Sequence, residues 1–434
     1  MTPRDSVVTF PDRPNRLLAA AASLRRKGPE SKVLGGSIIM LASMTLVSAL
    51  NFAYNVVMAR MLGPSKFGHV TASVTLLMLA SAVTLAFQLV CAKFVARNQA
   101  AGAKAGVYRS LRRKAWMVSL GLGGVLILAQ KPMADYLRLP DSRILAVLAV
   151  GIAVYVPLGV RRGAMQGLCC FRRLSGSFIV EALTRFVTGV VLVVAGYGVF
   201  GAVGAISAAV LAAYLFPSLG KELQAQTETG DPASFGEGIQ AIVFFIGQVI
   251  ICNVDVLLVK HFFTPEIAGL YAAVALVGRL LYFASWSAVS AMFPVSAAQP
   301  QEDGPHVTIV PLVTVFALTV SFILALSLFP HLIIHTIFGV EFHQGESLLP
   351  LYATATGLYS LSVVLIAYEM SRRIANTGWL QLIFSGVLVL GIGIFHHTLR
   401  EVIVVQIVLM SVLLLLVSVP FLRRHRVALR QEAA

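Results

Sequence analysis

The chain has 434 residues, 58% of them hydrophobic and only 12% charged, against roughly 25% charged residues in an average soluble protein. This composition excludes a water-soluble globular domain and points to a chain whose solvent is a bilayer. The formal net charge of +15 would suggest nucleic acid in a soluble protein, but in a membrane chain the distribution of basic residues between loops matters more than their sum.

Residues 1–32 form a basic leader rich in Pro and Arg. Within it, 15–27 reads either as a short amphipathic piece on the inner membrane surface or as a disordered leader. The apolar run that follows is too long for the 7–15 residue core of a signal peptide, so it reads as a retained first helix. A bilayer core offers no water to backbone groups, so apolar segments of about 20 residues must be helices. Twelve are expected, at 33–59, 69–92, 115–130, 144–160, 174–195 and 200–219, then at 239–259, 268–293, 307–330, 347–370, 374–395 and 401–422. The expected fold is thus an all-α integral membrane protein of about 12 transmembrane helices in two six-helix bundles, 33–220 and 239–422. A cytoplasmic linker, 221–238, joins them, and a basic tail, 423–434, follows.

Placing both termini in the cytoplasm puts 25 Lys and Arg on that side and leaves seven outside. The positive-inside rule favours this orientation, and the basic loops then need no nucleic acid. Seven of the cytoplasmic residues fall between Lys93 and Lys114, a stretch with no acid in it. Arg161, Arg162, Arg172 and Arg173 are assigned to the next cytoplasmic turn.

An internal repeat organises the chain. With an offset of 200, Asn55 falls on Asp255, Val56 on Val256 and Arg60 on Lys260; after a one-residue gap, Pro64 falls on Pro265 and Gly68 on Gly269. Two copies at that distance imply two similar halves. Between the fifth and sixth helices, Gly196, Gly198 and Gly201 match GxGxxG, but two apolar helices are not a βαβ unit. A tight turn with close helix packing is the better reading.

Ionisable groups within apolar spans mark a site or pathway, because a central Asp, Lys or Arg costs about 2.5–3.5 kcal/mol to insert. They are Glu181, Arg185, Asp255, Arg279 and, near a helix end, Glu369. Glu181 and Arg185 are four apart on one helical face and can neutralise each other, or Arg185 can face a wet cavity. Asp255 lies about a turn from the outer end and could pair with Lys260 or serve a substrate or ion. Arg279 is near the midplane and is expected to face a cavity. His331, His335, Glu341 and His343 share an outer loop, a weak metal set. The four cysteines, Cys91, Cys169, Cys170 and Cys252, show no CxxC spacing. No nucleophilic triad, HExxH or P-loop is present, and the polar loops are too short to house a soluble catalytic domain.

Three segments carry a resemblance: ARMLGPSKFG after the first helix, RRGAMQGLCCF leading to Glu181 and Arg185, and NVDVLLVKHFFTPEIAGLYAAVALVGR followed by Phe293 and Pro294. They resemble polysaccharide biosynthesis membrane proteins, the oligosaccharide flippases of the MOP exporter superfamily related to MATE exporters. The resemblance implies a non-enzymatic transporter of the cytoplasmic membrane that moves a polyprenyl-diphosphate-linked glycan to the outer leaflet by alternating access. It implies no cofactor, with possible coupling to a proton or sodium gradient, and membrane lipids and other polysaccharide-assembly proteins as partners. The substrate-binding positions it implies are Arg279, Arg185, Glu181, Asp255 and Asn55, with Tyr54, Gln88, Tyr282 and Trp286 as sugar contacts. A cation-coupled drug exporter of the same fold is the alternative, and a membrane-embedded glycan ligase or polymerase a further one.

Overall fold

The computed structural model describes the backbone at residues 29–216, 223, 239–298, 304–371 and 377–432, and side chains over most of these. Residues 1–28 of the leader, including 15–27, and all of the linker except Leu223 lie outside the described residues, as do Arg372 and Arg373. Every regular element among the described residues is helical. Eight segments are long and apolar enough to cross a membrane, nine if one bent pair counts as a single span, and a shorter apolar helix runs from Gly378 to Ile394.

The first helix, α1, is assigned over Pro29–Arg97, 69 residues, which at 1.5 Å per residue is about 100 Å and far exceeds one crossing. The chain breaks it at Gly63, whose φ of 70° suits a residue without Cβ, beside Pro64, which has no backbone N–H to donate. The two arms fall where the first two spans were expected. Helix α2, Ala101–Leu128, meets the short α3, Gln130–Tyr136, at a bend of 67°. The sequence had started this span at residue 115, yet the basic residues Arg109 to Lys114 are already helical.

Helix α4, Arg143–Gly167, also outruns its expected end at 160, because nothing in Arg161–Gly167 stops it. The turn comes instead at Cys169, at a φ of 54°. Helix α5, Phe171–Leu192, runs through a π turn, Val193–Tyr197, into α6, Gly198–Leu215. Gly196 and Gly198 have φ of 91° and 52° there. An added Cβ on Gly201 would lie 2.8 Å from the Leu192 Cβ, so these glycines form a tight turn between closely packed helices.

The second half comprises α7, Ile239–Phe262; α8, Pro265–Ala298; α9, Gly304–Leu328; α10, Pro330–Ile337; a 3-10 turn, Val340–Leu348; α11, Leu349–Ser371; α12, Thr377–Ile394; and α13, Leu399–Glu432. The expected tail from 423 is thus largely a continuation of α13.

The halves meet through the repeated motif itself. An added Cβ on Gly269 would lie 1.9 Å from the Pro64 carbonyl oxygen, and one on Gly68 would lie 2.7 Å from the Pro265 carbonyl oxygen. Each half therefore sets its glycine against the other half's proline, a reciprocal contact of the kind two-fold symmetry produces. One apolar core spans this seam, with Met58, Phe67 and Val70 from the first half and Leu258, Tyr271 and Val274 from the second. Away from the seam the cores separate. Phe87, Phe94, Leu111 and Val160 pack in the first half, whereas Phe244, Tyr282, Tyr359 and Val363 pack in the second.

Candidate functional site

Among the described residues, each half carries a buried charged cluster. In the first, Glu181 on α5 accepts from two guanidiniums: Arg185 Nη2 at 2.8 Å, one turn along the same helix, and Arg162 Nη2 at 2.7 Å from α4. Arg162 also donates from Nε to the Ser177 hydroxyl at 3.2 Å and from Nη2 to the Ser177 carbonyl at 3.1 Å. Its guanidinium carbon lies 3.9 Å from the Phe178 ring centroid, a cation–π contact. Arg185 Nη1 donates to Asn51 Oδ1 on α1 at 3.1 Å. All three charged residues are at most 8% exposed. Two guanidiniums share one carboxylate, so this interior keeps one net positive charge.

This geometry corrects the assignment of Arg162 to a solvated cytoplasmic turn: it is 3% exposed and part of an ion-paired triad. Arg161 points elsewhere and donates to the Tyr214 and Phe216 carbonyls. Asn55 is placed apart from these charges, its Nδ2 donating to the Asn51 carbonyl of its own helix at 2.8 Å. The α1 amide that reaches Arg185 is Asn51, one turn earlier.

The second cluster centres on Asp255, which is 1% exposed. Arg279 Nη2 donates to its Oδ1 at 3.1 Å, while the hydroxyls of Tyr271 and Tyr352 donate to Oδ2 at 2.9 and 2.8 Å. Gln406 Nε2 in turn donates to the Tyr271 oxygen at 2.7 Å. Four helices, α7, α8, α11 and α13, thus converge on one carboxylate. Asp255 pairs with Arg279, not with Lys260. Lys260 is 1% exposed, and its Nζ has no hydrogen-bond partner among the described residues.

The Arg279 side chain keeps 19% of its surface exposed and lines a cavity of about 30 Å³ with Cys252, Tyr282, Tyr359 and Gln406, room for one or two waters. Its Nε is buried with no hydrogen-bond partner among the described residues, so part of the fork is uncommitted. Of the proposed sugar contacts, Tyr282 lines this cavity, and Trp286 packs on Tyr282 with ring centroids 6.2 Å apart. Tyr54 is 1% exposed and donates to the Ala202 carbonyl at 2.9 Å, a packing role. Gln88 donates to Gln166 at 3.2 Å. In the outer loop His331 Nδ1 lies 2.9 Å from Glu346 Oε1, and among the described residues no three His, Cys, Asp or Glu side chains converge as a metal would require.

The triad invites a direct check. Glu181→Gln leaves two buried guanidiniums without a counter-charge, a loss of about 3–5 kcal/mol when a buried pair is broken. The melting temperature of the detergent-solubilised protein is expected to drop clearly. Arg185→Gln should cost less, because Glu181 keeps Arg162. Equal melting of Glu181→Gln and wild type would contradict the triad.

Helices arranged in two halves around buried charges give the chain a MATE-like fold, and the solved structures agree on it. An inward-facing MATE-family multidrug transporter of the MOP superfamily superposes with a TM-score of 0.75 at 13% identity, covering 91% of this chain and 99% of that one. An outward-facing one gives 0.62 at 17% identity, with 94% and 98% covered. A MOP-superfamily transporter from Pyrococcus furiosus, described as having a binding pocket of reversed polarity that suggests a different function, gives 0.56 at 16% identity, with 94% and 98% covered. No curated protein matches the sequence. Residues 33–299 match the family described as "Polysaccharide biosynthesis protein". The chain belongs to that family.

Proposed function

We propose that the protein flips a polyprenyl-diphosphate-linked oligosaccharide across the cytoplasmic membrane by alternating access, without covalent catalysis. In this reading the two long broken helices each supply two crossings, giving twelve with both termini cytoplasmic, and the bundles 33–220 and 239–422 rock about the Gly/Pro seam. The observation that carries it is the sign of the buried charge. Arg162 and Arg185 share one carboxylate, and Arg279 presents an uncommitted Nε beside a cavity. A diphosphate recruits guanidinium forks through charge-assisted hydrogen bonds, which strengthen in a low-dielectric interior. Family membership points to the same glycan cargo. An interior with net positive charge disfavours the organic cations that a drug exporter of this fold would carry. Arg279, Arg185, Glu181 and Asp255 are the proposed site residues, with Arg162 and Asn51 added, and Asp255 is the candidate for coupling to a proton or sodium gradient.

The test is reconstitution in liposomes with a fluorescent polyprenyl-diphosphate sugar, scored by loss of signal to a membrane-impermeant quencher. Wild type should equilibrate the probe between leaflets, whereas Arg279→Lys, which keeps the charge but loses the planar fork, should slow it at least tenfold. Transport of organic cations with no movement of the lipid-linked probe would establish the exporter reading instead.

A further inference from the structure

The internal repeat pairs Arg60 with Lys260, yet the two cations end differently. Arg60 is exposed and crosses to the second half, where it donates from Nε to the Ile337 carbonyl at 2.8 Å and from Nη2 to the Thr336 carbonyl. Those carbonyls close the last turn of α10, so the guanidinium meets the negative end of a helix. By the repeat, Lys260 would reach the end of α3, the corresponding short helix of the first half. That end is already taken. His261 Nδ1 lies 2.8 Å from the Tyr136 carbonyl oxygen, and the Ala134 and Asp135 carbonyls accept from the backbone N–H groups of Leu139 and Arg138. Lys260 is left enclosed, at 1% exposure, with its Nζ bonded to nothing among the described residues.

A second orphan faces it from the other half. His69 follows Gly68, which packs against the Pro265 carbonyl, and its ring is buried with Nδ1 unbonded among the described residues. The Lys260 charge acts on this imidazole. The other charge that acts on Lys260 is that of Arg138, whose Nη1 is committed to the Phe263 carbonyl at 3.3 Å. Asp255, on the same helix as Lys260, is taken by Arg279. Among the described residues, no carboxylate acts on Lys260 or His69. A buried ammonium beside another cation, with no acid to balance it, is strongly unfavourable. Water would satisfy the N–H donors but would leave the charge uncancelled, whereas an anion answers both needs. The enclosure of Lys260 rules out a lipid headgroup, and a single ammonium calls for a single negative charge.

We infer that Lys260 and His69 hold a small monovalent inorganic anion of the halide class between the two halves. The ammonium supplies the counter-charge and the imidazole Nδ1–H a hydrogen bond. Because His69 belongs to α1 and Lys260 to α7, the anion ties the halves together at their seam. The site shares no side chain with either charged cluster and does not depend on which molecule is transported.

The test uses the full chain in detergent, with chloride as the probe, titrated against gluconate at constant ionic strength and pH. Gluconate is too bulky for an enclosed site and sets the baseline. The melting temperature should climb saturably with chloride, by about 2 °C or more. Lys260→Met removes a buried unpaired charge and is therefore expected to fold, with a melting temperature indifferent to the exchange of anions. His69→Leu keeps the ammonium and loses one donor, so the midpoint of its chloride titration should rise about tenfold. A parent whose melting ignores chloride overturns the proposal, as does a chloride response that survives Lys260→Met or a midpoint unmoved in His69→Leu.

Discussion

Gly269→Ala is expected to push the two halves apart at their seam. The added methyl would sit 1.9 Å from the Pro64 carbonyl oxygen and 2.6 Å from its carbon, against the 3.3–3.6 Å at which a carbon normally meets a carbonyl oxygen. Both sides of the contact are backbone, so no side chain can swing away. Relief requires moving one helix relative to the other by about 1.5 Å, and small residues at helix crossings in membranes exist to allow such approaches. Any conformation in which the seam has parted escapes the clash. A penalty of about 3 kcal/mol confined to the closed seam would shift the balance between the two states by about two orders of magnitude.

Cys252, beside the Arg279 cavity, offers a reporter in a background whose other cysteines are replaced. A membrane-impermeant maleimide added from the outside should label it slowly in the parent and at least tenfold faster in Gly269→Ala. Gly68→Ala, whose methyl would approach Pro265 only to 2.7 Å, should fall between. Gly386→Ala has nothing within 4 Å of the added atom and should label like the parent. Identical rates in all four proteins would show that the seam does not govern access.

The second large effect is expected at Asp255. Asp255→Ala strands the Arg279 charge, costing about 3–5 kcal/mol, and removes the acceptor of both the Tyr271 and Tyr352 hydroxyls, at about 1–3 kcal/mol for each buried donor left unsatisfied. Few membrane proteins have that much stability to spare, so the single variant should accumulate poorly and melt early. Asp255→Ala combined with Arg279→Met removes both charges, and replacing a buried pair by apolar groups is often neutral. The double variant should therefore recover most of the melting temperature. The flipping assay on it separates two roles. Recovered stability with lost transport assigns the pair to the cargo or its driving ion, whereas recovery of both makes it structural. A single variant as stable as the parent would disprove the four-helix convergence.

Residues Glu181 and Arg185 show what could be seen before folding: a pair on one turn of one helix is a local matter, and its 2.8 Å contact follows from the spacing. Arg162 was legible only as one more basic residue, because nothing local says that α4 continues past residue 160 and turns this side chain inward. The choice between Asn51 and Asn55 failed for a related reason. Helices that are apolar all round carry no stripe to fix their rotation, so neither amide was marked as the inward one. Gln406 is a lone polar residue in an apolar run, a signal that could have been followed, whereas Tyr352 stands among Thr354, Thr356 and Tyr359; their convergence on Asp255 passes through Tyr271 in the first case and spans 97 residues in the second.

The sequence by itself determined the membrane class, the all-helical fold and the repeat, because the bilayer forces each apolar segment to satisfy its backbone alone and Gly63 with Pro64 breaks its helix locally. It also determined which side chains would be costly to bury. Only the tertiary structure decided which of those charges meet, that the repeated Pro64/Gly68 and Pro265/Gly269 pairs press against each other, and that the arginines of α2 lie on an open face. Those outcomes depend on how helices rotate and cross, and in a chain without a polar face to turn toward water, packing alone sets that rotation.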